Sequence, residues 1–111
     1  MNNILSVLES YTFDNADDIA KALADDFRKR RIEKNLTRDQ VAERSGVALG
    51  HIVRFEQKGL ISLKNLIALA MSMDYASEIK NIFSQPKYST MEELSQIRKN
   101  AGKSRAYKKE A

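Results

Sequence analysis

Residues 36–59 read LTRDQVAERSGVALGHIVRFEQKG, and the rest of the chain is organised around them. The stretch predicts two short helices joined by a tight turn. Thr37 suits the start of the first. Its hydroxyl can accept the backbone N–H of Gln40 while the Gln40 amide reaches back, a capping box. The first helix then runs from Arg38 to Ser45 with Val41 and Ala42 inward. Gly46 stands where one helix must stop, and glycine enters the left-handed conformation at little cost. Val47 anchors the turn. A second helix is expected from about Ala48 to Gln57, with Ile52 and Phe55 inward and Gly59 as its end. An ordinary helical hairpin, in which Val41, Val47, Ile52 and Phe55 merely form a core, has much the same pattern.

Composition narrows the class. The chain has 111 residues, four glycines and one proline, and no β-type alternation, which argues for one all-α domain with tails. It has no cysteine and one histidine, so neither a disulfide nor a His or Cys metal cluster is expected. No secretory signal and no membrane-spanning apolar run is visible, so a cytoplasmic protein with no membrane partner is expected. Charge is unevenly placed. Residues 1–26 carry six acids and one lysine, a net of −5. Residues 27–96 hold twelve bases and eight acids, a net of +4, and residues 97–111 six bases and one acid, a net of +5. Such a gradient is usually a solvated surface, and its basic part would attract anionic partners.

Taken in order, residues 1–13 form an N-terminal arm with Ile4, Leu5 and Leu8 at helical spacing, followed by Tyr11 and Phe13. The stretch is too short to be a stable helix alone. It packs on its own domain or serves as a dimer arm. A long helix starts near Asp14 or Asn15, with Asp17 and Asp18 in its first turn, where the dipole favours negative charge. Ile19, Leu23, Phe27 and Ile32 fall close to one face. Arg28, Lys29, Arg30, Arg31 and Lys34 crowd its far end. After the motif, Ser62 caps a helix with Leu63, Leu66, Ile67, Leu69 and Ala70 on its apolar face, and Met71 and Met73 either fill the core or line a groove. Residues 76–83 form a last compact helix with Ile79, Ile82 and Phe83 inward, and Pro86 closes a domain spanning 14–86. In the C-terminal extension, 87–111, Thr90 caps a further turn or helix with Met91, Leu94 and Ile97 on one side. Residues 98–111 are polar and basic and are expected to be mobile in isolation.

On Leu36, Thr37, Val41, Ala42, Gly46, Val47, Ile52, Arg54, Glu56 and Gly59, residues 20–83 resemble the helix-turn-helix of Cro and lambda-repressor regulators, the xenobiotic-response-element family. The resemblance implies a five-helix lambda-repressor-like domain whose second motif helix reads the DNA major groove. Carried over, it gives Arg38, Ala48, Leu49, Gly50, His51, Val53 and Arg54 as the DNA-binding set, with His51 near the backbone. Arg28, Lys29, Thr37, Lys103, Arg105, Lys108 and Lys109 are the expected phosphate contacts, and Arg31 pairs with Glu56 as a structural strut. The sequence departs from the family at the reading helix. Ala48 lacks the usual capping hydroxyl, and Leu49, Gly50 and Val53 cannot form bidentate base bonds, which leaves Arg54 as the best guanine reader. The SLKNLIALAMSM helix and the KSRAYKK tail also resemble antitoxins of HipA-type toxin–antitoxin pairs. That likeness implies a homodimer that represses its own operon at a palindromic operator on double-stranded DNA and binds a kinase-like toxin. The alternative is a protein-binding module with little DNA specificity. An enzyme is not expected: His51 has no evident partner, no glycine-rich phosphate loop is present, and Asp25 and Asp26 read as a solvated face, so neither metal nor cofactor is implied.

Overall fold

The computed structural model describes residues 14–106, and among them six helices and no strand. Contacts divide the chain after Ile79 into two compact units. The N-terminal arm with Ile4, Leu5, Leu8, Tyr11 and Phe13, and the tail cations Lys108 and Lys109, lie outside the described residues.

In the first unit, α1 spans Ala16–Glu33, α2 Arg38–Ser45, α3 Leu49–Lys58, α4 Leu63–Ser72 and α5 Ala76–Lys80. Local chemistry sets their ends. Asn15 accepts from the Asp18 N–H at 2.9 Å and opens α1. At its other end Asn35 takes φ +56°, and the Leu36 N–H returns to the Arg31 carbonyl at 3.1 Å, a Schellman closure. Thr37 and Gln40 exchange both capping-box bonds, at 3.1 and 2.8 Å, to open α2. Gly46 closes it at φ +76°, and Gly59 closes α3 at φ +71°. Ser62 caps α4 through the Asn65 N–H at 3.1 Å.

α1 packs on α3, and α2 packs on both α3 and α4. Between them lies a core of Ala24, Leu36, Val41, Val47, Ile52, Phe55, Leu69 and Met73. Phe27 packs on Phe55 with tilted rings 5.5 Å apart. The buried stripe of α1 differs from the expected one. Ile19, Leu23 and Ile32 are 58%, 44% and 51% exposed, whereas Ala24 and Arg31 are buried. The cause is a close helix crossing. A Cβ on Gly59 would stand 2.9 Å from the Ala20 carbonyl carbon, so α1 must present its small side chains, Ala20 and Ala24, to the end of α3. Met73 belongs to the core and Met71 is exposed.

A second correction concerns residues 76–83. The helix stops at Lys80, and Ser84 N–H bonds the Asn81 carbonyl in a turn. Helical spacing is lost there, and Ile82 and Phe83 are exposed rather than inward. In the second unit, residues 80–106, Thr90 caps α6, Met91–Asn100. Residues 98–100 therefore belong to a helix rather than to a tail.

Candidate nucleic-acid interface

One carboxylate ties three helices together. Glu56, on the inner side of α3, has a side chain only 1% exposed. Arg31 of α1 meets it as a fork, with Nε donating at 2.8 Å and Nη2 at 2.9 Å. The third arm of the guanidinium, Nη1, donates to the Leu36 carbonyl at 2.8 Å. A buried pair of this kind is stable only when its remaining donors and acceptors are satisfied, and here they are spread across α1, α3 and the α1–α2 turn. Arg38 of α2 donates its Nε to the same Glu56 carboxylate at 3.1 Å, and the Arg28 Nε stands 4.0 Å from it. Three guanidinium groups thus face one carboxylate, which leaves positive charge uncompensated. That excess sits toward solvent, because the side chains of Arg38 and Arg28 are 38% and 54% exposed. Arg38 accordingly belongs to the strut as well as to the candidate DNA set.

Glu56 also orients α3. The face opposite the core carries Ala48, Leu49, Gly50, His51 and Arg54, all exposed, with Val53 half-buried beside them. Ala48 makes no side-chain bond to the first turn of α3, so the donors there are met by no capping hydroxyl. This order — a capped α2, a left-handed glycine, a buried valine and an exposed α3 — is the geometry that presents a helix to a DNA groove.

Residues 27–78 match the family model described as helix-turn-helix. These residues are a helix-turn-helix domain. It is of the xenobiotic-response-element type, a family of DNA-binding regulators. No curated protein matches the chain.

Within the helix-turn-helix domain, the Thr37 hydroxyl oxygen is occupied by the Gln40 N–H, which leaves its proton free to donate. Lys29 is exposed on α1. Lys103 and Arg105 are exposed in the second unit, beyond α6. One partner went unforeseen. Asn65 of α4 places its Nδ2 3.2 Å from His51 Nδ1. His51, Arg54, Ser62 and Asn65 line a shallow hollow of about 310 Å³ beside the first turn of α4. The Ser62 cap, legible as a helix start, was the only local signal for it. The pairing of Asn65 with His51 crosses 14 residues and has no local signature. Among the described residues no group of His, Cys, Asp and Glu is placed to hold a metal ion, and no helix is long and apolar enough to cross a membrane.

Proposed function

We propose that the protein is a sequence-specific transcriptional repressor. It binds a palindromic site in duplex DNA as a homodimer, regulates its own operon, and acts in the cytoplasm at the nucleoid. The observation that carries this reading is the solvent face of α3, where Arg54 and Leu49 stand exposed, together with the charge excess that Arg28 and Arg38 leave around Glu56. Arg54 is the base reader, suited to a guanine edge. Leu49 and Val53 meet thymine methyl groups, and Gly50, whose Cβ position is open, permits close approach of the DNA. With so few base bonds, DNA shape supplies much of the selectivity. Arg28, Lys29, Thr37 and Arg38 bond phosphates at the rim, and Lys103, Arg105, Lys108 and Lys109 supply further phosphate contacts. Two reading helices of a twofold dimer lie about 34 Å apart, one turn of DNA.

The test is a titration of the operator-containing duplex and a scrambled duplex at several salt concentrations. Each phosphate contact steepens the log–log salt dependence by about 0.9. Arg54→Ala reduces the preference for the operator by about 1–3 kcal/mol. Removing residues 101–111 flattens the salt slope and leaves the preference intact. Equal, weak binding of both duplexes, unchanged in Arg54→Ala, overturns the repressor reading. The second reading then takes its place: a helix-turn-helix module that neutralises a partner protein, such as the kinase-like toxin of a HipA-type pair. The exposed Leu49 on α3 and the exposed Ile82, Phe83 and Met91 of the second unit favour that reading.

A further inference from the structure

His51 is the chain's single histidine, and its two ring nitrogens stand in different surroundings. Nδ1 lies 3.2 Å from Nδ2 of Asn65, a half-buried residue in the first turn of α4. Nε2 has no partner among the described residues, and His51 is exposed. An amide nitrogen carries only donor protons, so the imidazole nitrogen opposite it must accept. A neutral imidazole that accepts at one nitrogen carries its proton on the other. The contact therefore selects the form with the proton on Nε2. Its support is rigid. Ile52, next to His51, and Leu69, one turn beyond Asn65, have no exposed surface. The Ser62 hydroxyl accepts from the backbone N–H of Asn65 at 3.1 Å, which fixes the turn of α4 from which the amide extends. Side chains carried by packed helices hold their geometry more closely than those on loops.

We propose that Asn65 is a positioning residue for DNA: it holds the His51 ring with its proton on Nε2, as a donor to a backbone phosphate of the duplex. This rests on the reading of α3 as the helix that meets DNA. Contact with α4 puts His51 on a flank of α3, and a helix lying in the major groove turns its flanks toward the phosphates. Arg54, three residues further along the same exposed face, lines the same hollow, and its charge favours an anion there. A phosphate oxygen accepts and the Nε2–H donates, so the two match. The donor is neutral and releases no counterion. Unlike Arg28 or Arg38, it adds affinity for any duplex sequence without steepening the salt dependence.

Two measurements on the full-length protein test this at about pH 8, where an ordinary imidazole is neutral. The first needs no DNA. With a single histidine in the chain, long-range proton–nitrogen NMR spectra report the two ring nitrogens of His51 directly. The expected wild-type spectrum is that of the Nε2–H form. In Asn65→Asp, whose carboxylate only accepts, the proton moves to Nδ1. A wild-type proton on Nδ1, or a spectrum unchanged in Asn65→Asp, overturns the proposal. The second measurement is a double-mutant cycle on the operator-containing and scrambled duplexes. His51→Ala should weaken binding of both by about ten- to a hundredfold, the worth of a hydrogen bond to a charged group, and leave the salt slope unchanged. Asn65→Ala should weaken both by about threefold or more in the wild type and by nothing in the His51→Ala background, because it acts through His51. The Ser62 cap uses only the backbone of Asn65, so Asn65→Ala keeps the start of α4, and a circular dichroism spectrum matching the wild type confirms that each variant is folded. Additive losses, or a His51→Ala protein that binds as tightly as the wild type, overturn the proposal. Failure of the repressor reading shows differently, as equal binding of the two duplexes with Arg54→Ala without effect.

Discussion

Thr37 and Thr90 do the same local job in two different settings. Each accepts the N–H of the residue three positions on, Gln40 or Glu93, at 3.1 Å, and each starts a helix. The helix after Thr37 delivers Val41 to the core with no exposed surface, and its neighbour Arg38 joins the Glu56 hub. The helix after Thr90 has no buried residue, and neither does any other part of residues 80–106. A helix cap therefore says where a helix begins and nothing about whether it belongs to a core. Residues 14–79 combine capped helices with eight buried apolar side chains and a buried ion pair. Residues 80–106 have the caps alone. The unfolding free energy should accordingly reside almost entirely in the first unit.

The largest expected effect that tests this contrast is at the hub. Glu56→Ala strands the buried Arg31 guanidinium and should lower stability by about 3–5 kcal/mol. Glu92→Ala, on exposed α6, should leave the thermal midpoint unchanged. A Glu56→Ala midpoint equal to the wild type would mean that the hub does not hold α1, α2 and α3 together.

A smaller effect compares two glycines with the same backbone requirement. Gly46 and Gly59 have φ of +76° and +71°, but only Gly59 has a neighbour within 4 Å of a built Cβ, namely the backbone of Ala20 and Lys21. Gly46→Ala should therefore incur only the left-handed cost of about 1–2 kcal/mol. Gly59→Ala should add an overpacking cost of about 1–3 kcal/mol, because two helix backbones must move apart. Urea unfolding curves of the two variants measure the difference. Equal midpoints would show that the α1–α3 crossing is looser than the 2.9 Å separation requires.

The smallest effect sharpens the contrast from the other side. Phe83 is 96% exposed, so Phe83→Ser should change stability by no more than about 0.5 kcal/mol despite the loss of a large aromatic ring. A loss above about 2 kcal/mol in the same urea experiment would place a core where none is described.

Much of the fold was legible in advance because its signals are short-ranged. The caps Asn15, Thr37, Ser62 and Thr90 bond donors three residues away, and Gly46 and Gly59 need left-handed backbone at their own positions. Such interactions are written in adjacent letters, so the sequence alone determined where α1, α2, α4 and α6 start and where α2 and α3 stop, but not the ends of α5 at Lys80 and of α6 at Asn100. The expectation of a pair between Arg31 and Glu56 came from a family resemblance, since its partners stand 25 residues apart and no local rule joins them. The tertiary structure alone decided which stripe of α1 is buried. Hydrophobicity favoured Ile19, Leu23 and Ile32, whereas the close approach of Gly59 selects the small side chains of Ala20 and Ala24. It also decided that Arg38 bonds Glu56 and that His51 meets Asn65. These depend on the separation and rotation of whole helices, which are set by how all the side chains of the core fill space together and cannot be read from any one segment.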